Sequence, residues 1–455
     1  MPKAAVTYVC SACGVTQVRW HGRCPECGAW GALVEEAPAP VTAGVAPAAV
    51  PALAVSAAVP LSELPPGSEP RRASGVGEFD RVLGGGAVPG SVILLAGDPG
   101  IGKSTLLLQV GYALACAGHR ALYVSGEESL LQVRLRAERL RTLHEEMLVL
   151  AETELETIIQ HLRLLQPAFA VVDSIQTTYD GRIESVPGAV SQVRNSALRL
   201  IRAAKETDTT ILLIGHVTKE GQIAGPRVLE HMVDVVLELA GDRDFSYRIL
   251  RAVKNRFGPT HEMGVFTMAD RGMEEVPNPS AAFLHERQHN TPGSAVAAVM
   301  EGTRALLVEV QALVTPAAPF GAPRRNATGI DPRRLAHLLA VLEKRCRLPL
   351  GQHDVFVNVP GGVKLTEPAV DLALALALAS SLRDVPVREG VVCFGEVGLT
   401  GEVRTVSHAD RRIAEAARQG FLLCLMPPGK APRKPGLRCA EVGSLDAAFS
   451  QALGG

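Results

Sequence analysis

The octapeptide Gly97-Asp98-Pro99-Gly100-Ile101-Gly102-Lys103-Ser104 satisfies the pattern G-x-x-x-x-G-K-S/T. An apolar run, residues 91–96, leads into it, and a stretch of helical apolar periodicity, residues 104–116, leads out. Strand, glycine-rich turn and helix in this order form a phosphate-binding loop. Backbone N–H groups wrap an anion at a helix N-terminus, and the helix dipole favours the negative charge there. Gly97, Asp98, Pro99, Gly100, Ile101, Gly102, Lys103, Ser104 and Thr105 are therefore expected to bind ATP. In that role Lys103 neutralises β- and γ-phosphate charge, and Ser104 offers its hydroxyl to Mg2+.

Outward from the loop, apolar runs alternate with helical-period stretches, and the runs include residues 121–125, 169–173 and 211–215. The rhythm predicts an α/β fold with a largely parallel sheet covered by helices. The runs at 233–239, 246–253 and 264–267 have no long helix between them. They predict that the sheet ends in antiparallel strands. Each strand end carries a candidate group. Asp173 closes one run and suits a Mg2+-orienting acid. Glu127 and Glu128 follow another; Glu127 is taken as the base that activates the attacking water, with Glu128 second. At least one of the pair also reads as a helix-start acid favoured by the dipole. His216 has two readings, a sensor of the γ-phosphate or an ordinary histidine.

At 455 residues the chain is too long for one core. Hydrophobic residues at 47 % and charged residues at 20 % exclude the disordered class. With 46 basic against 47 acidic residues there is no global positive field, so a polyanion must be held by local clusters. No apolar run outside residues 37–60 approaches the roughly 20 residues of a membrane span, and the start lacks a signal-peptide core. A cytoplasmic location is expected. Thiols stay reduced there, so the nine cysteines read as metal ligands or core residues.

Cys10-x-x-Cys13 and Cys24-x-x-Cys27 form two thiolate knuckles that together offer a tetrahedral all-sulfur site suited to structural Zn2+. A module this small needs the metal to fold. The two tryptophans, Trp20 and Trp30, lie in or beside it, as small-core packing or as an exposed face for a base or a partner protein. Between residues 37 and 60, 20 of 24 residues are Ala, Pro or Val, which marks a semi-rigid linker. The expected partition is a zinc module at 1–36, a linker at 37–70, an ATPase core at 71–285 and a last α/β portion at 286–455.

Several further stretches carry a specific resemblance: Ser125-Gly126-Glu127-Glu128-Ser129, His216-Val217-Thr218-Lys219-Glu220-Gly221, Gly225-Pro226-Arg227-Val228-Leu229-Glu230-His231 and Lys254-Asn255-Arg256-Phe257-Gly258. With the four cysteines and the phosphate loop, the chain resembles the bacterial RadA (Sms) family of DNA repair and recombination ATPases, which have a RecA-like core. The resemblance implies a homohexameric ring in which Lys254 and Arg256 reach a neighbouring subunit's nucleotide. It also implies DNA threaded past loops near residues 180–190 and 218–230, where Arg182, Lys219 and Arg227 are the available cations. Single-stranded and branched DNA, and a RecA-type recombinase, are the implied partners; the implied activity is a DNA-stimulated motor or helicase that promotes branch migration.

The segment Asp354-Val355-Phe356-Val357-Asn358-Val359-Pro360-Gly361-Gly362, then Glu367-Pro368-Ala369-Val370-Asp371, then Phe394-Gly395-Glu396-Val397-Gly398-Leu399-Thr400-Gly401-Glu402-Val403, resembles the proteolytic domain of Lon. The serine position of that family falls on Ala369 and the lysine position on Asp410, so the Ser-Lys dyad is absent. What the resemblance leaves is a ring-forming platform. Arg324, Arg325, Arg333, Arg334, Lys344 and Arg345 have two readings, a DNA-facing set or a solvated surface. The rival classes are a nucleotide-gated scaffold ATPase, of the kind KaiC-like proteins represent, and an ATP-dependent protease.

Overall fold

The computed structural model describes residues 7–10, 15–26, 28–36, 60, 62, 70–216, 227–241, 247–260, 262–318, 322–430, 432 and 434–453. Cys13, Cys27, Lys219 and nearly all of the expected linker lie outside the described residues. The chain divides into two compact units, residues 1–239 with 252–258 and 270–272, and residues 240–251, 259–269 and 273–455.

The first unit begins with a three-stranded antiparallel ribbon of β1 (Thr7–Cys10), β2 (Thr16–Gln17) and β3 (Leu33–Glu36), in the order β2-β1-β3. Backbone N–H groups of Cys10 and Cys24 donate to the carbonyls of Val15 and Ala29, each at 2.9 Å, which folds the chain back around each cysteine. Gly28 takes φ +73°, which its lack of a Cβ permits. Cys10 and Cys24 are buried, whereas Trp20 and Trp30 are 58 % and 78 % exposed. Of the two readings of the tryptophans, the exposed face is the one found.

Helix α1 (Gly77–Leu83) precedes the principal sheet. Its strands are β4 (Val92–Gly97), β5 (Ala121–Ser125), β6 (Met147–Ala151), β7 (Phe169–Asp173), β8 (Thr210–His216) and β9 (Val235–Ala240). They lie parallel in the order β9-β4-β8-β7-β5-β6. Helices α2 (Lys103–Cys116), α3 (Leu130–Leu140), α4 (Leu155–Leu165), α5 (Val190–Thr207) and α6 (Arg227–Met232) connect them. All residues of β4, β5 and β7 are buried, as expected of strands covered on both faces, which read as continuous apolar runs rather than alternating ones. One expectation is corrected. The run containing β9 joins parallel to β4, with Ile93 opposite Val235, not antiparallel. The chain between β8 and β9, with α6 in it, is long enough for a parallel crossover although its helix is short.

The other two runs form β10 (Tyr247–Asn255) and β11 (Met263–Ala269), which pair antiparallel as expected, and β12 (Gly272–Glu275) follows. The second unit continues with α7 (Pro279–Leu284), β13 (Ser294–Glu301), β14 (Arg304–Pro316), β15 (Arg325–Thr328), α8 (Pro332–Cys346), β16 (His353–Asn358), α9 (Asp371–Arg383), β17 (Val391–Cys393), β18 (Glu396–Val397), β19 (Val403–Arg404), α10 (Ala409–Arg418), β20 (Leu423–Met426), β21 (Arg438–Glu441) and α11 (Leu445–Ala452). A seven-stranded mixed sheet, β15-β16-β14-β13-β17-β20-β21, carries this unit. Helix α9 is buried from Asp371 to Ser380, which accounts for its Ala/Leu composition all round.

Two buried ion pairs pin the second unit. Arg412, fully buried, meets Glu367, donates to the carbonyl of Ala298 at 2.7 Å and lies 5.6 Å from the Phe394 ring centre. Asp371 meets Arg334 and accepts from the Val397 N–H at 3.1 Å. Burial still pushes the Asp371 carboxyl above its ordinary value, although Arg334 opposes the shift. Ala369 is sealed in an apolar cluster with Val296, Ala298, Leu307 and Phe394, whereas Asp410 is exposed in the first turn of α10. No helix among the described residues is long and apolar enough to cross a membrane.

Arg412→Ala should destabilise the protein by about 3–5 kcal/mol, because Glu367 loses its buried partner; a lowered denaturant midpoint in the second unit's transition checks this. Since both tryptophans of the chain lie in the ribbon, a strong chelator should lower tryptophan fluorescence anisotropy, as the freed ribbon gains local motion, while the far-UV circular dichroism is largely kept.

Candidate functional site

The carboxyl ends of the parallel strands gather the candidate residues. Gly97 at the end of β4 stands opposite His216 of β8 and Leu239 of β9, and Ser125 at the end of β5 stands opposite Asp173 of β7. This rim is where open α/β sheets bind ligands. The loop from Gly97 to Gly102 turns through left-handed glycines, with φ +79° at Gly100 and +113° at Gly102. A Cβ on Gly97 would lie 2.4 Å from the Leu239 carbonyl oxygen, so only glycine fits there. Lys103 opens α2 and is 4 % exposed. Its ammonium donates to the carbonyls of Gly97 at 2.8 Å and Asp98 at 3.0 Å, and so braces the loop from inside. Burial lowers its pKa, while the charges of Asp173, Asp98 and Glu127 oppose that shift. The cradle of N–H groups beside a fixed ammonium fits a nucleotide triphosphate.

Asp173 is buried, and its carboxylate accepts from the Tyr123 hydroxyl. Burial and the charge of Asp173 drive the Tyr123 pKa well up, so the phenol remains a donor; it also lies within hydrogen-bonding reach of Ser104. Ser104 and Asp173, the pair expected to hold Mg2+, are thus linked through one tyrosine. A hydroxyl beside a carboxylate is a hard oxygen donor set, which suits that ion.

The two glutamates part ways. Glu128 forms an ion pair with Arg136. Its backbone is held too, since its N–H donates to the Ser125 hydroxyl oxygen at 3.0 Å. Ser129 caps α3 through a capping box with Gln132, and the first turn of the helix holds no acid, so the helix-start reading of the glutamates is corrected: both precede the cap. Glu127 is exposed, accepts from the Ser174 hydroxyl at 2.7 Å, and contributes to the field at Lys103. Among the described residues the sequence reading had passed over Tyr123, Ser174 and Arg136. Nothing in spacing marks Tyr123 or Ser174, because each acts through a partner about 50 residues away, and Arg136 meets Glu128 only through the turn into α3.

Lys254 and Arg256 diverge as well. The Lys254 ammonium donates to the carbonyls of Glu230 and Val233, each at 2.7 Å, and caps the end of α6 in the same chain. Burial, and secondarily the Arg256 charge, lowers its pKa. The Arg256 guanidinium is 54 % exposed and lies 3.4 Å from Asp234, whose other oxygen accepts from the Val92 N–H at 3.0 Å. Arg182 lies between β7 and α5, exposed, and is paired with Glu156 at 2.6 Å. Glu156 also meets Arg199, which holds Asp180 at 2.9 Å. Arg227 begins α6, so part of the segment expected as a loop near 218–230 is helical. The position of the His216 backbone is the end of β8.

The fold and rim define a P-loop nucleotide-binding ATPase carrying a cysteine ribbon in front. Family models agree: an AAA domain matches residues 71–222, a rubredoxin metal binding domain matches 8–35, and subunit ChlI of Mg-chelatase matches 334–430. The chain is 49 % identical over 462 residues to DNA repair protein RadA of Bacillus subtilis, with 100 % of both chains covered. It is 50 % identical over 455 residues to that of Pseudomonas aeruginosa, covering 99 % of each, and 46 % identical to that of Mycobacterium tuberculosis, covering 99 % of this chain and 93 % of the relative. It belongs to the family of DNA repair protein RadA. A KaiC-like protein from Pyrococcus horikoshii aligns with TM-score 0.39 and 20 % identity over 46 % of this chain and 99 % of its own. The ribbon match supports Zn2+; the sulfurs of the buried Cys10 and Cys24 are of the type that ion takes.

Gly97→Ala should destabilise the protein by about 1–3 kcal/mol through the forced retreat of β9, and should weaken binding of a fluorescent ATP analogue in titration.

Proposed function

We propose that this chain is a DNA-stimulated ATPase of recombinational DNA repair, working as a homohexameric ring motor or helicase on single-stranded and branched DNA, alongside a RecA-type recombinase in the cytoplasm. The carrying observation is the meeting of Lys103, Asp173 and Glu127 at one sheet rim in a chain of the RadA family. In this reading the domains are the zinc module at 1–36, the linker at 37–70, the ATPase core at 71–285 and a Lon-protease-like domain at 286–455 without its Ser-Lys dyad.

Gly97 to Thr105 bind the triphosphate, and Lys103 balances the charge of its outer phosphates. Ser104 and Asp173 hold Mg2+, which neutralises charge on the phosphoryl oxygens when bound. Glu127 takes a proton from the attacking water, since Glu128 is engaged by Arg136. His216, at the neighbouring strand end, senses the γ-phosphate. Arg256 is the cation offered to the next subunit's nucleotide, which makes hydrolysis depend on assembly; Lys254 holds the backbone that presents it. Cys10, Cys13, Cys24 and Cys27 hold a structural Zn2+. Arg182, Lys219 and Arg227 contact DNA phosphates, and Arg182 exchanges Glu156 for them. Proteolysis of the Lon type has no nucleophile, because position 369 is a buried alanine.

ATP turnover should rise on addition of single-stranded DNA, vanish in Lys103→Ala, and lose its DNA stimulation steeply as salt increases. Turnover indifferent to DNA would favour the nucleotide-gated scaffold. Arg256→Ala should cut turnover by about 10³-fold or more while leaving ATP binding intact.

A further inference from the structure

We propose that Ser174 is a positioning residue for hydrolysis: its hydroxyl fixes the Glu127 carboxylate in the orientation from which it accepts the water's proton. The inference rests on the reading of Glu127 as the base. In the step, the water oxygen bonds to the γ-phosphorus and the bond from that phosphorus to the β,γ-bridging oxygen breaks. The water's proton passes to the Glu127 carboxylate, and ADP carries away the released electron pair.

Glu127 needs such a hold. It is an exposed side chain with three rotatable bonds, on a turn between β5 and α3, and a freely rotating carboxylate would be misplaced most of the time. Ser174 is fully buried and donates to Glu127 Oε1 at 2.7 Å, a hydrogen bond strengthened by the acceptor's charge. The donor is itself immobilised from both sides. Its carbonyl accepts from the hydroxyls of Thr177 at 2.9 Å and Thr178 at 3.2 Å. The next residue, Ile175, donates its N–H to the Ile214 carbonyl of β8 at 3.1 Å. The residue before, Asp173, accepts from the Gly126 N–H at 2.7 Å, so the turn that carries Glu127 is tied directly to the strand end that carries Ser174. The two segments lie so close that a Cβ on Gly126 would sit 2.2 Å from the Thr177 hydroxyl. Base, metal-orienting acid and the hydroxyl that aims the base are thereby set by one backbone junction.

The test is steady-state ATPase kinetics of the full chain with Mg2+, with ATP-analogue binding and thermal melting as controls. Ser174→Ala should lower kcat about 10- to 100-fold with KM within about twofold of wild type. Ser174→Thr, which keeps the hydroxyl, should recover most of the rate. In a Glu127→Gln background, Ser174→Ala should cost less than about threefold, because the group it aims is no longer a base. Wild-type kcat in Ser174→Ala, or effects that multiply independently in the double variant, overturn the proposal. If Ser174→Ala fails to fold, Ser174→Cys, similar in volume but a weak donor, is read in its place: a kcat loss at unchanged KM supports the proposal and wild-type kcat overturns it. Full activity in Glu127→Gln defeats the base assignment itself, whereas an inactive Glu127→Gln beside a fully active Ser174→Ala defeats only the role of Ser174.

Discussion

The ammonium of Lys103 has to be carried at the end of an apolar strand with almost no exposure, and much of the first unit is arranged around that demand. A buried cation is costly unless it is hydrogen-bonded and faced by opposite charge. The carbonyls of Gly97 and Asp98 supply the bonds, and Asp98, Asp173 and Glu127 supply the field. Those carbonyls can turn inward because the loop passes through left-handed glycines. The acids can converge because β5 and β7 are adjacent and in register at Ser125 and Asp173. Strand order, loop conformation and the placement of acids are thus one solution to one electrostatic problem.

The same logic separates residues that look alike in sequence. Glu127 and Glu128 are neighbours, yet one faces the phosphate-loop lysine and the other is neutralised by an arginine one helix turn or two further on. Lys254 and Arg256 stand two apart on a strand and its exit; the first closes the carbonyl end of α6, the second leaves its guanidinium half exposed beside Asp234. A short distance along the chain is a long distance in chemical role when the backbone turns between the two.

What could be read in advance follows from this. The phosphate loop, the strands that end in Asp173 and His216, and the antiparallel pairing of β10 with β11 were legible, because an unbroken apolar run or a glycine pattern reports directly on backbone conformation. The parallel entry of β9 was not, since a crossover needs only enough chain, and a six-residue helix leaves little periodicity. Nor were Tyr123 and Ser174 legible as members of the site: a tyrosine inside a buried strand and a serine after it look like packing until the fold sets them against Asp173 and Glu127. In the ribbon the cysteine spacing was plain, while the exposure of Trp20 and Trp30 depends on how three short strands turn.

In the second unit, position 369, where the Lon resemblance puts a serine, is a buried alanine. Ala369 is not a serine with its oxygen pared away in an otherwise intact cleft; its methyl is walled in by Val296, Ala298, Leu307 and Phe394. Glu367 and Arg412 nearby pair with each other, and Asp410 is exposed. A hydroxyl at 369 would be enclosed by apolar groups, and a lysine at 410 would start from an exposed position on α10. Serine and lysine placed at these two positions would therefore not by themselves make a hydrolytic site.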